Sequence, residues 1–170
     1  MKTMLLLSGV AVLVFLNFCN PPGPATDLDE EFSGIRTVLE KYEIANEDED
    51  FSIIEEIWAD DDAIILIGTE RDEKLVGWEE IRKAVRNQHR NFENTLISIT
   101  EQMININETA NTAWFSEELS YNFIYEGEAM SYEGIRFTGV LEKIDGKWKL
   151  VQGHLSMPAE TKMSKEMTNN

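Results

Sequence analysis

From Glu30 to Asn46 the apolar residues fall at Phe32, Ile35, Val38, Leu39, Tyr42 and Ala45. Intervals of three and four place them on one face of an α-helix and leave the other face acidic. Asp50 stands where it can cap a second, short helix carrying Ile53, Ile54, Ile57 and Trp58, which ends at the acidic break Asp60-Asp61-Asp62. A short polar side chain ahead of an apolar run accepts the first free backbone N–H groups of a helix. The pattern then predicts a strand over 63–67, a turn over 68–74 and a brief return at Leu75-Val76. Gly77 opens a third helix with Trp78, Ile81, Ala84, Val85 and Phe92 on its apolar side.

Beyond Asn94 the period changes to that of strands, expected over 95–106, 109–125, 129–144 and 147–157. Glu126-Gly127 and Asp145-Gly146 separate the last three, and an Asp-Gly pair favours a two-residue hairpin turn. Helices first and long strands after, without a βα rhythm, predict an α+β domain whose helices cover one face of a strongly curved antiparallel sheet.

The ends differ in kind. Residues 1–18 combine Lys2 with an apolar run from Met4 to Phe18, too short to span a bilayer of about 20 apolar residues. This is the pattern of a signal peptide. Leu16-Asn17-Phe18-Cys19 resembles a bacterial lipobox, with Phe18 where a small residue is usual, and acylation at Cys19 would tether an exported chain to the cell envelope. Residues 19–29 then serve as linker, 30–158 as the domain and 159–170 as a polar tail. Asn107-Glu108-Thr109 matches a glycosylation sequon, which a bacterial host would leave unused.

Composition narrows the function. Asp and Glu number 32 against 15 Lys and Arg, a formal charge of −17, with no basic cluster to grip nucleic acid. One Cys and two distant His exclude a Cys-based zinc site and argue against any transition-metal site. The acidic run 60–62 lacks the alternating ligands of a calcium loop. No phosphate loop, Cys nucleophile or serine triad is present.

Several stretches together resemble the SnoaL-like branch of the nuclear transport factor 2-like superfamily, which shares its cone-shaped fold with ketosteroid isomerase. They are the first helix, the 51–58 helix with its acidic break, Val76-Gly77-Trp78-Glu79-Glu80-Ile81, and the ending from Arg136-Phe137-Thr138-Gly139-Val140-Leu141 through Asp145-Gly146-Lys147-Trp148 to His154-Leu155-Ser156-Met157-Pro158. The resemblance implies a curved antiparallel sheet wrapped around three N-terminal helices and enclosing a pocket. It does not choose among the isomerases, dehydratases, cyclases and binding modules that use this fold.

Strand alternation selects candidates within such a cone. Glu117 is in phase with the apolar set Ala113, Phe115, Leu119, Tyr121 and Phe123, and a carboxyl group among apolar neighbours gains a raised pKa suited to proton transfer. His154, near the end of the last strand, is a second candidate for moving a proton. The structural alternative for each is a buried residue satisfied by a hydrogen bond or a nearby cation, and it is the reading to be displaced. Trp58, Phe115 and Tyr121 are expected to wall a pocket for a small organic molecule, with Arg136 as its cation. Counting back from the Glu126-Gly127 turn sets Arg136 opposite Glu117, whereas alternation with Ile135, Phe137 and Gly139 sets it on the other face; a bulge is needed to reconcile the two. The expected function is binding of a small organic ligand. The rivals are a cofactor-free isomerase, dehydratase or cyclase, and a homodimeric scaffold with a vestigial pocket.

Overall fold

The computed structural model describes residues 27–158; the expected signal peptide, Cys19 and the expected polar tail lie outside the described residues. Helix α1 runs Leu28–Glu47, α2 Phe51–Ile57 and α3 Trp78–Asn91, with strands β1 (Ile65–Ile67), β2 (Lys74–Val76), β3 (Phe92–Ile106), β4 (Thr112–Tyr125), β5 (Glu128–Ile144) and β6 (Lys147–Ser156). The side chain of Asp27 accepts the N–H groups of Asp29 and Glu30 at 3.0 and 3.3 Å, so α1 starts at Leu28, two residues before its periodic region. Asp29, Glu30 and Glu31 then sit at the positive end of the helix dipole. Asp50 caps α2 as expected, accepting the Ser52 N–H at 2.9 Å. Gly77 offers α3 no side-chain cap, and the Trp78 N–H instead donates to the Asp61 carbonyl at 3.0 Å. The exposed acidic break thus fixes the start of a helix.

Phe92 departs from the expected pattern: it opens β3 instead of closing α3. Its ring stacks on Phe123 of β4 at 3.9 Å between centroids, and that cross-strand contact draws the chain into the sheet. The strands lie in the order β2-β1-β6-β5-β4-β3. Strands β3 to β6 form the expected antiparallel meander, while β1 runs parallel to β6, which makes the six-stranded sheet mixed. Both predicted two-residue turns have positive φ at each position, 51° and 80° at Glu126-Gly127 and 49° and 77° at Asp145-Gly146. These are the mirror-image turns that match strand twist.

The sheet curves because its ladders are interrupted. Register shifts occur at Glu93/Leu96 and Ile99/Glu101 of β3, at Leu119/Tyr121 of β4 and at Val140/Leu141 of β5. An extra residue in one strand bends it and adds twist. Next to the last of these, a Cβ on Gly139 would lie 2.3 Å from the Gln152 carbonyl and 2.6 Å from the Phe115 ring, so only glycine lets β6 and Phe115 approach so closely. The concave face is filled by Ile35 and Leu39 of α1, Ile54 and Ile57 of α2, and Ile81 of α3 against Phe115, Phe137, Leu141 and Leu150 of the sheet. Among the described residues no helix is long and apolar enough to cross a membrane.

Candidate functional site

Alternation along β4 is strict, with 113, 115, 117, 119, 121 and 123 all buried. Glu117 is therefore inside, 3% exposed, and its Oε1 accepts a 2.6 Å hydrogen bond from Gln102 Nε2 on β3. Loss of water raises its pKa, and the carboxylate of Glu43 on α1 pushes the same way against the Gln102 bond. The group is a buried acid biased toward its neutral form.

Its expected partners are elsewhere. The shift at Leu119/Tyr121 pairs Glu118 with Arg136 and Glu117 with Phe137. The additional residue lies on β5 next to Gly134, whose φ is 69°. Arg136 is thus exposed on the outer face, where its Nη2 donates to the Met157 carbonyl at 3.2 Å. This corrects the expectation of a pocket cation. His154 pairs with Thr138 of β5 and Ile67 of β1, in the row that continues to Ser116. That row alternates with the inward row of Phe115 and Phe137, so His154 faces away from Glu117. The two proton-transfer candidates do not share a cavity. Trp58 and Phe115 are buried at 2% and 3% exposure and belong to the packed core rather than to a cavity wall. The indole N–H of Trp58 is buried without a hydrogen-bond partner.

The cavity lies at the other end of the cone, between α1, α3, the 68–73 turn and β4–β6, with a volume of about 270 Å³. Of the sequence candidates, Tyr121 lines it. Gln88 of α3 crosses the space between the helices, its Nε2 donating to Tyr121 Oη at 2.7 Å and to Asn46 Oδ1 at 3.2 Å. Asn46 Nδ2 in turn donates to the Tyr42 carbonyl at 2.7 Å. Because Tyr121 Oη accepts from Gln88, its own hydrogen remains to be donated. Burial raises the phenol pKa of Tyr121, and burial followed by the charges of Glu117 and Glu73 raises that of Tyr42. Both phenols are held in the protonated form at neutral pH. The outer wall is aromatic: Phe123 is stacked between Phe92 and Tyr132, with the Tyr132 centroid at 5.8 Å, and Tyr121 meets Phe123 edge-on at 5.7 Å. A second recess of about 470 Å³ adjoins it and shares Leu66, Glu73, Gln88, Phe92, Phe123 and Tyr132.

Sequence reasoning missed Asn46, Gln88 and Glu73. The signal for the first two was present, since Asn46 follows Tyr42 by four on the apolar face of α1 and Gln88 follows Val85 by three on that of α3. A polar residue in phase with an apolar stripe is the mark of a lined cavity or a buried network. His89 of α3 is half-buried near Asn46 Oδ1 at 3.4 Å, and desolvation lowers its pKa despite Glu49 and Asp50 nearby. Among the described residues no group of three or more His, Cys, Asp or Glu is arranged to hold a metal.

No curated protein matches the chain. Solved structures share its fold. A nuclear transport factor 2-like superfamily protein from Salmonella enterica serovar Typhimurium aligns at a TM-score of 0.72 and 16% identity, covering 82% of this chain and 99% of that one. A protein with a cystatin-like fold from Caulobacter vibrioides aligns at 0.65 and 15%, covering 76% and 91%. A candidate scytalone dehydratase from Novosphingobium aromaticivorans aligns at 0.68 and 12%, covering 84% and 97%. The model of the SnoaL-like domain matches residues 35–160, which takes in both the packed core and every polar group of the cavity. The chain belongs to the SnoaL-like domain family.

Proposed function

We propose that this domain holds a small organic molecule in the cavity between α1, α3 and the sheet. The observation that carries the reading is the Gln88–Tyr121–Asn46 network facing an aromatic wall inside the cone. Binding sites combine apolar walls with a few placed polar groups, in volumes of roughly 300–1,000 Å³, and the cavity with its adjoining recess is of that size. The phenol of Tyr121 and the side-chain amide of Gln88 would orient a hydroxyl or carbonyl of the ligand. Proton-transfer catalysis by Glu117 with His154 is the weaker reading, because those groups lie on opposite faces of the sheet. The candidate scytalone dehydratase among the structural neighbours supports the fold, and at 12% identity its chemistry does not carry over.

The test is fluorescence of N-phenyl-1-naphthylamine, which brightens in an apolar site. The signal is expected to rise with the native protein and to be lost in Val85→Phe, which fills the cavity from α3, with thermal melting checking that the variant folds. Equal brightening in Val85→Phe would remove this reading.

Two further elements belong to the proposal. Export and acylation at Cys19 rest on the 1–19 pattern, and Cys19→Ser expressed in the native host should lack an acyl-sized mass; identical masses would contradict it. A homodimer through the outer sheet face is favoured by the transverse row Trp114–Val140–Gln152–Ile65, in which Trp114 is 48% exposed. Trp114→Glu should then sediment as a monomer where the native chain sediments as a dimer.

A further inference from the structure

The cavity is electrically one-sided. Glu70 and Glu73 are the charged residues that line it, and no Lys, Arg or His does so. In the adjoining recess Glu73 is again the charged residue. Neither carboxylate is paired with a Lys or Arg among the described residues, whose ion pairs are Lys41–Glu56, Arg82–Glu55, Arg82–Glu79, Arg86–Glu55 and Lys143–Glu31.

Glu73 is also held in place. Its carbonyl accepts the Gly68 N–H at 2.9 Å, its own N–H donates to the Glu70 carbonyl at 3.2 Å, and its Oε2 accepts the Glu70 N–H at 3.3 Å. The side chain lies directly over Gly68, where an added Cβ would come within 1.8 Å of Oε2. Glycine at 68 therefore leaves the room in which this carboxylate sits at the cavity mouth. The rings of Phe92, Phe123 and Tyr132 line the same cavity; Phe123 is stacked between the other two, so the outer faces of Phe92 and Tyr132 are the ones that can attract a cation.

A carboxylate ligand would meet these two glutamates with no cation to compensate its loss of water. An ammonium group would find a carboxylate and aromatic faces together, in a protein whose formal charge of −17 already draws cations toward it. We infer that the ligand is a small organic cation, a hydrophobic amine or quaternary ammonium, with its apolar part among Phe92, Phe123 and Tyr132 and its charge beside Glu73. The inference rests on the cavity being a binding site and adds the charge of what it binds.

The experiment titrates the full chain, labelled at Phe and Tyr for NMR, with benzyltrimethylammonium, benzyl alcohol and benzoate. The ammonium is expected to bind about tenfold more tightly than the alcohol, through ring-face and carboxylate attraction, with benzoate weakest. Glu73→Gln should weaken the ammonium roughly three- to fivefold and leave the alcohol unchanged, as expected for removing one partly solvated charge. Benzoate binding as well as the ammonium, or an unaltered ammonium affinity in both Glu73→Gln and the Glu70→Gln/Glu73→Gln double variant, overturns the inference while the cavity reading stands. Failure of all three probes to shift the Phe123 and Tyr132 signals overturns both.

Discussion

The two ends of the cone share one sheet and three helices yet differ in what their side chains do. At the closed end Phe137, Leu141, Leu150 and Ile54 are each 0% exposed, and Phe137 meets Phe115 edge-on at 4.9 Å and Tyr42 at 4.7 Å. At the open end α3 stands off from α1, and the span between them is crossed by Gln88 reaching Asn46 and Tyr121. Apolar side chains alone would draw the helices together, since every contact removes more surface from water. Here polar groups bridge them at hydrogen-bond distances instead. The cavity of this domain is thus spanned by polar residues and walled by aromatic ones.

The sharpest test of the contrast is Phe137→Ala, which should cost about 3–5 kcal/mol in urea denaturation because the tightly packed closed end cannot collapse around the void. Phe123→Ala, whose ring already borders open space, should cost less and should abolish probe binding; equal losses would mean that the two ends are equally packed. A smaller effect is expected for Gln88→Ala. It leaves Tyr121 Oη without its donor and Asn46 Oδ1 with the longer 3.4 Å contact to His89 Nε2, and should cost about 1–3 kcal/mol and let the cavity partly close, seen as weaker binding at unchanged secondary structure. Retention of full binding would show that the network does not hold the cavity open.

Glu117→Gln should give the smallest change, and one that depends on pH. Burial raises the carboxyl pKa in the folded chain, so the folded state holds more protons than the unfolded one and stability falls as pH rises above the unfolded value near 4.5 toward the folded value. The amide removes that loss while keeping an oxygen for Gln102. The variant should melt higher than the native chain at pH 7, with the gain shrinking below about pH 4.5, where both chains carry a neutral group. A lower melting temperature at pH 7 would show that the ionised carboxylate stabilises the fold.

Much of this was legible in the chain itself. The helical stripes, the Asp50 cap, both hairpin turns and the inward phase of Glu117 follow from spacings of two to four residues, and local backbone geometry enforces those spacings wherever the element forms. The site was legible in smaller part. Tyr121, one of the expected wall residues, lines the cavity, but Trp58 and Phe115 were indistinguishable from wall residues, because an inward apolar side chain packs or lines a void according to what stands opposite it. Arg136 turned on a single residue. Gly134 in mid-strand was the visible sign of a bulge, yet its effect on register could be read only from the paired strands.

By itself the sequence determined the order and type of the elements, the hairpin connections and the buried face of β4. Those are local properties, set by dihedral preferences and side-chain periodicity over a few residues. The tertiary structure alone decided that β1 joins β6 in parallel, that His154 and Glu117 face apart, and that Gln88 meets Tyr121 across 33 residues of chain. These depend on strand register and on the separation of α1 from α3, which are fixed by packing among residues distant in sequence and leave no periodic trace along the chain.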